Sequence, residues 1–177
     1  MIIYGNSEPR RLVSEMIKKK REPHSIMIHG EKGLGKKTLA RWIAAALLCE
    51  RQTGEPCGIC RTCRMIADGA HPDVMVAKAN SNGNYIVDDS IRPIVAEAPV
   101  APNEARMKVY IIPDLDLSVN TVIQVQNILL KVIEEPPEHT AIILTARSKE
   151  ISAYHNLTSA FPWHDLCHGG GEHGVFA

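Results

Sequence analysis

The chain has 177 residues, of which 45% are hydrophobic, so it can bury the core of one domain and is not disordered as a whole. Twenty basic residues balance twenty acidic ones, which argues against a freestanding nucleic-acid binder held by net positive charge. No signal-peptide pattern opens the chain and no apolar run could span a bilayer, so we expect a cytoplasmic protein without membrane contacts, whose thiols stay reduced.

The first third of the chain is predicted to contain a helix, a strand and a second helix. Ser7 and Pro9 are typical of a helix start, with the serine hydroxyl as its cap. Residues 25–29 read as a short buried strand that leads directly into a glycine-rich loop. The apolar spacing of residues 37–49 then indicates a helix.

Further strands and helices alternate through the rest of the domain. Strands are predicted at residues 74–77, 108–112 and 140–145, and helices at 90–97 and 122–133. Short, continuously apolar strands that alternate with helices indicate a parallel sheet covered on both faces. We therefore predict an α/β fold for residues 1–150.

The last residues, 151–177, differ from the domain in composition. They contain no lysine or arginine, both phenylalanines, four of the eight histidines and a run of three glycines. We predict that this tail lies outside the domain, as a disordered terminus or as the product of a shifted reading frame. Cys167 and the neighbouring histidines could form a second metal site, although incidental composition is the preferred explanation.

The glycine-rich loop has the spacing of a phosphate-binding P-loop. In a strand, a G-x4-G-K loop and a helix, backbone N–H groups surround phosphates and Lys36 would reach the outer ones. The hydroxyl that normally ligates Mg²⁺ is replaced by Lys37, and Thr38 comes one position late. The candidate nucleotide-binding residues are Gly30, Gly33, Gly35, Lys36, Lys37 and Thr38.

A second metal-handling position is also altered. Pro113 and Asp114 follow the strand at 108–112, where hydrolytic P-loop proteins carry two acidic residues for the metal and for water. We interpret Asp114 or Asp116 as a strand-end cap in preference to a water-activating group. We therefore expect no Mg²⁺ binding, no independent nucleotide hydrolysis and no catalytic residue. The loop is compatible with ATP binding. The alternative interpretation is that it is only a glycine-rich turn between the strand and the helix.

Four cysteines follow the second helix with the spacing Cys-x7-Cys-x2-Cys-x2-Cys. Thiolates separated by two residues supply neighbouring corners of a tetrahedron, and a cysteine at the preceding helix end completes it. Four protein ligands leave no open coordination position, so we predict structural Zn²⁺ in an insertion of about residues 49–68, with an iron–sulfur cluster as the alternative. The predicted ligands are Cys49, Cys57, Cys60 and Cys63.

Together these motifs resemble the bacterial clamp-loader subunits of the AAA+ class. The resemblance rests on the P-loop, the four-cysteine insertion, the His-Pro-Asp triplet at 71–73 and the strand at 108–112. Residues 127–137, Asn-Ile-Leu-Leu-Lys-Val-Ile-Glu-Glu-Pro-Pro, are similar to the family signature Asn-Ala-Leu-Leu-Lys-x-Leu-Glu-Glu-Pro-Pro. The likeness extends over about residues 3–147.

The resemblance implies a subunit of the ring that opens a sliding clamp and places it on primed DNA for DNA polymerase III. In this family the gamma and tau subunits hydrolyse ATP, whereas the delta-prime subunit is a stator with degraded ATPase motifs. Lys37 and Pro113 match the degraded pattern. The implied partners are the gamma/tau and delta subunits, with DNA and the clamp reached through the complex. An ATP-hydrolysing motor subunit and a small zinc-containing nucleic-acid module are the alternatives.

The chain also departs from the family pattern. Thr145 lies near the position of the family's sensor residue, and a Ser-Arg-Cys element with a trans-acting arginine should follow its strand. Residues 151–160 contain no arginine, and a helical lid and a collar domain are not found in the sequence. We therefore expect the nucleotide-fold half of a delta-prime-like subunit.

Overall fold

The computed structural model describes residues 5–80, 85–115, 122–147 and 164–167. The strands are β1 (Ser25–His29), β2 (Val74–Val76), β3 (Lys108–Ile112), β4 (Thr140–Ala146) and β5 (His164–Cys167), and the helices are α1 (Ser7–Lys18), α2 (Lys36–Leu48), α3 (Arg61–Ala67), α4 (Arg92–Glu97) and α5 (Val122–Glu134). All strand pairs are parallel, in the order β2-β3-β4-β1-β5. None of these helices is both long and apolar enough to cross a lipid bilayer.

The two faces of the sheet pack into two separate hydrophobic cores. Successive side chains of a strand point to opposite faces, so Ile26 and Ile28 pack with α1 and α2, whereas Met27 packs with α4 and α5. Every residue of β3 and β4 is buried, which explains why these strands are apolar without alternation. The predicted parallel sheet with helices on both faces is confirmed.

Two helix starts differ from the prediction. Asn6 occupies the cap position of α1 in a left-handed conformation (φ 54°) and makes no side-chain capping bond. Ser7 is already the first helical residue, so its hydroxyl does not cap the helix as expected. The helix predicted at 90–97 begins earlier, with a π-helical turn at Val87–Ile91 that runs into α4.

Strand β5 lies inside the atypical tail. It pairs in parallel with β1, with His164 opposite Ile26, and so adds an edge strand that the composition did not predict. Its side chains, including that of Cys167, and the rest of the tail lie outside the part of the chain that the structure describes. The boundary at residue 150 and the second metal site remain predictions.

Candidate metal centre and phosphate-binding loop

The four predicted metal ligands meet beside the C-terminal end of α2. Their Sγ atoms all lie within 4.8 Å of one another. Cys49, which directly follows α2, and Cys63, in the first turn of α3, are buried, whereas Cys57 and Cys60 are half-buried. The structure therefore brings together a cysteine cluster that the spacing alone had predicted.

The cysteine cluster fits the chemistry of a bound metal ion. Thiolates on tetrahedral zinc, with bonds of about 2.3 Å, lie about 3.8 Å apart, so small side-chain movements would place all four around one ion. The N–H of Cys60 donates to Cys57 Sγ and the N–H of Cys63 donates to Cys60 Sγ, each at 3.3 Å. Such bonds orient and stabilise thiolate ligands. These four residues can hold a metal ion.

The thiols of the cluster have contrasting environments. Backbone N–H groups of Ile59 and Cys60 lower the pKa of Cys57 to about 6, because they stabilise its thiolate. Burial raises the pKa of Cys63 to about 12. A thiolate at this buried position needs a positive charge beside it, which a bound cation supplies.

Arg106 fixes the end of the helix from which Cys49 emerges. Its Nε and Nη2 donate to the Leu47 carbonyl at 3.0 and 2.7 Å, and its Nη1 contacts Glu22 at 2.9 Å. The last carbonyls of a helix lack intrahelical donors and attract cations, so this contact completes the end of α2. Arg106 could not be predicted from the sequence, because no local motif marks an arginine that reaches back to a distant helix.

The cysteine insertion also contacts α1 through Gly54. The Ser14 hydroxyl donates to the Gly54 carbonyl at 2.8 Å. Gly54 has a φ of +87°, and a Cβ added there would lie 2.6 Å from the Ser14 carbonyl oxygen. Both the backbone conformation and the close approach therefore require glycine.

Gly54→Ala should lower the free energy of unfolding by about 2 to 4 kcal/mol, because the added methyl group combines backbone strain with a clash. Gly58→Ala is the matched control, since Gly58 has a φ of +72° but no atom within 4 Å of the added Cβ. This control should lose only about 1 to 2 kcal/mol. Urea denaturation of the metal-loaded proteins measures both values, and equal losses would contradict the close contact at Gly54.

The glycine-rich loop connects β1 to α2 as predicted. Gly33 and Gly35 have φ values of 94° and 77°, in the region that favours glycine. Lys36 is only 6% exposed, and its Nζ donates to the carbonyls of Gly30 and Glu31 at 2.7 and 2.9 Å. The lysine that would bind phosphate oxygens therefore contacts the carbonyls of its own loop.

An ion pair joins the start of α2 to the end of β3. Lys37 Nζ lies 2.7 Å from Asp114 Oδ2, and their side chains are 61% and 28% exposed. Asp114 has a φ of 50°, and its N–H donates to the buried Thr145 hydroxyl at 2.8 Å. This pair was not predicted, because Lys37 and Asp114 belong to separate sequence motifs. Thr38 is exposed, and Asp116 lies outside the described residues.

A buried aspartate, the last residue of the His-Pro-Asp triplet, holds the loop before β3. Asp73 is 2% exposed. Its Oδ1 accepts from the N–H and the amide group of Asn103 at 2.6 and 3.0 Å, and its Oδ2 accepts from the N–H groups of Glu104 and Ala105, both at 2.8 Å. Burial alone would raise the pKa of Asp73, but these donors outweigh it and lower the pKa.

The chain is similar to subunits of bacterial DNA polymerase III. It is 34% identical over 144 residues to DNA polymerase III subunit tau of Bacillus subtilis (strain 168). The aligned residues cover 80% of this chain and 24% of that protein. It is 32% identical over 148 residues to subunit delta' of the same organism, covering 81% and 43% of the two chains. The delta' subunit of Pseudomonas aeruginosa is 34% identical over 123 residues, covering 68% and 36%.

Solved structures support the same fold. A gamma subunit-related protein from Thermotoga maritima aligns with a TM-score of 0.55 and 21% identity, over 89% of this chain and 45% of that one. The α/β fold predicted from the sequence is thereby confirmed. The chain spans less than half the length of these relatives. Because residues 5–152 match the family model described as DNA polymerase III, delta subunit, the chain belongs to that family.

Proposed function

We propose that the chain is the nucleotide-fold part of a delta-prime-like stator in the DNA polymerase III clamp loader. It would hold the gamma/tau and delta subunits in the ring that places the sliding clamp on primed DNA, without hydrolysing ATP itself. The similarity to tau and delta' proteins supports a role in this complex. We place this role in the cytoplasm, with contact to DNA and the clamp made through the complex.

The ion pair between Lys37 and Asp114 carries the stator assignment. Hydrolysis in P-loop proteins needs a metal ion held by a hydroxyl after the P-loop lysine and by an acidic residue at a strand end. Here the hydroxyl position holds an ammonium group that already contacts the remaining carboxylate at 2.7 Å. The neighbouring Pro113 supplies no carboxylate at all. A divalent cation would have to displace the Lys37 ammonium group from Asp114, and the nearby positive charge would still repel it.

We further propose roles for the two sets of site residues. The four cysteines would hold structural Zn²⁺, since a set of four thiolates favours zinc and leaves no open coordination position. The P-loop residues would surround the phosphates of a nucleotide, provided that Lys36 exchanges the loop carbonyls for phosphate oxygens. These P-loop residues are Gly30, Gly33, Gly35, Lys36, Lys37 and Thr38.

An ATP-hydrolysing gamma/tau motor is the second candidate. The observation in its favour is the 34% identity to a tau subunit over 80% of the chain. The two candidates differ at the metal position, because a motor needs oxygen ligands where this chain has Lys37 and Pro113.

ATP turnover by the purified protein separates the two candidates. With Mg²⁺ present, we expect the protein alone and its Lys36→Ala variant alone to show the same background rate. Mixtures of either one with the ATP-hydrolysing gamma/tau and the delta subunits should turn over ATP at equal rates. Hydrolysis that disappears in Lys36→Ala would overturn the stator assignment.

The double variant Lys37→Thr/Pro113→Asp restores both oxygen positions and should acquire Mg²⁺-dependent nucleotide binding, measured by calorimetry. Failure to co-purify with the other subunits would contradict membership of the complex.

A further inference from the structure

A cavity beside the free edge of the sheet has no part in the proposed stator function. It has a volume of about 310 Å³ and lies next to β2, the edge strand. Its lining includes Arg41, Ile66, His71, Val74, Val76 and Lys78. We call it the β2-edge cavity. Its walls combine an apolar floor, two cations and strand backbone.

The backbone of β2 has hydrogen-bonding groups on the free edge of the sheet, beside this cavity. In a parallel pair, the N–H and C=O of one residue point to the same side, and the side alternates along the strand. The Asp73 carbonyl accepts from a β3 N–H and the Ala77 N–H donates to a β3 carbonyl, each at 2.8 Å. The backbone groups of Val74 and Val76 therefore face away from β3. The Val74 N–H already donates to the His71 carbonyl at 3.1 Å, which leaves the Val74 carbonyl and the backbone groups of Val76 for a ligand. No strand among the described residues pairs with them on that side.

His71 adds a buried donor to the wall of the cavity. The residue is 5% exposed, and its Nδ1 accepts from the Asp73 N–H at 3.1 Å. A neutral imidazole that accepts at Nδ1 carries its proton on Nε2. Within the described part of the chain, the His71 side chain makes no other hydrogen bond. Its Nε2–H is thus available to an oxygen atom of a ligand.

The charges around the cavity all have one sign. Arg41 and Lys78 are exposed at its rim, and no acidic residue lines it. A buried N–H and two cations select a negatively charged group, while the outward backbone of Val76 selects an extended main chain. A free phosphate ion would use the charges but not the strand edge. An extended acidic peptide uses both.

We propose that the β2-edge cavity binds an extended acidic peptide segment of a partner protein, which adds as a strand beside β2 and directs a carboxylate to His71 between Arg41 and Lys78. Main-chain bonds to Val76 would supply affinity that does not depend on sequence, and the apolar floor around Ile66 would accept an aliphatic side chain. The proposal does not depend on the stator role, which the turnover experiment tests separately.

Nuclear magnetic resonance titration of the ¹⁵N-labelled, metal-loaded protein tests the proposal with three probes at equal ionic strength. The first is an acetylated and amidated hexapeptide of alternating valine and glutamate, the second replaces each glutamate with lysine, and the third is sodium phosphate. We expect the glutamate peptide to shift the amides of Val74 and Val76 and the ring signals of His71. Arg41→Glu should weaken this binding about tenfold. Arg21→Glu, an exposed change in the loop after α1, is the control and should leave it unchanged.

Three results would overturn the proposal. Equal shifts with the lysine peptide would show that charge does not select the ligand. Shifts that phosphate produces and the glutamate peptide does not would identify a simple anion site without strand addition. No shift at these residues with millimolar glutamate peptide, in a protein whose spectrum is otherwise native, would show that the cavity does not bind acidic chains.

Discussion

Asp73→Asn should lower the free energy of unfolding by about 3 kcal/mol at neutral pH, because it weakens a buried set of hydrogen bonds. The carboxylate accepts from three consecutive backbone N–H groups, at positions 103–105. Hydrogen bonds to an ionised acceptor contribute about 1.5 to 3 kcal/mol each and are not additive. An asparagine keeps one acceptor oxygen but turns an amide NH₂ toward backbone donors. Urea denaturation measures the loss.

Asp68→Asn is the matched control, because Asp68 is exposed at the end of α3 and accepts none of these bonds. Its effect should stay within about 0.5 kcal/mol. A loss at Asp73 no larger than that of the control would show that the loop before β3 does not depend on the carboxylate. Crystals or spectra of the variant should locate any change in residues 103–105, and not in the P-loop.

The same carboxylate should make stability sensitive to acid. Burial disfavours ionised Asp73, but the backbone N–H groups of Asn103, Ala105 and Glu104 lower its pKa overall. A folded pKa below the unfolded value of about 3.9 means that the stabilisation is complete above about pH 4 and is lost as the pH falls through the folded pKa. The difference between the wild-type protein and Asp73→Asn should therefore shrink below about pH 4. A constant difference would contradict the lowered pKa.

The main strands could be predicted because each is a continuous apolar run with polar residues at both ends. The predicted bounds of β1 and β3 agree with the structure, and α5 differs by one residue at its end. Strand β5 could not be predicted in the same way. Its residues, His-Asp-Leu-Cys, form no apolar run, and their strand conformation depends on pairing with β1 far earlier in the chain.

The candidate sites divide in the same way. The cysteine cluster could be predicted because three of its ligands lie within residues 57–63, where spacing restricts geometry. The pair between Lys37 and Asp114 and the bonds made by Asp73 join residues from distant parts of the chain. Local sequence patterns do not indicate such contacts, so Asp114 was interpreted only as a cap residue and Asp73 only as part of a family motif. The topology of the sheet brings these partners together.

Metal removal is expected to unfold the cysteine insertion and leave the sheet intact. The insertion is short, and Ile66 is its one member in the α1–α2 core that the described residues form. Its contacts with the rest of the domain also include two polar ones, from the Ser14 hydroxyl to Gly54 at 2.8 Å and from Arg61 to Glu104 at 3.1 Å. A segment with so little apolar burial depends on cross-links, and structural zinc contributes about 10 to 16 kcal/mol of apparent binding free energy in small modules.

Hydrogen exchange with mass spectrometry, before and after chelation, measures this effect. Amides of residues 50–68 should exchange about a hundredfold faster after chelation, while those of β1, β3 and β4 keep their protection. The α3 amide of Arg64, which donates to the Cys60 carbonyl at 3.2 Å, is a direct reporter. Exchange that rises equally in the sheet would show that the metal supports the whole domain. Unchanged exchange in the insertion would show that the cysteine cluster is not its cross-link.

Cys60→Ser separates the loss of a metal ligand from the loss of a helix cap. Cys60 precedes α3 and its Sγ accepts from the Cys63 N–H, so it serves as the N-cap of that helix. Serine is a preferred N-cap and can keep this bond, but it is a much poorer zinc ligand than a thiolate. The variant should therefore reproduce the effect of chelation although the cap is retained. Ile59→Ser, at a side chain that is 60% exposed in the same loop, should keep both the metal and the native exchange pattern.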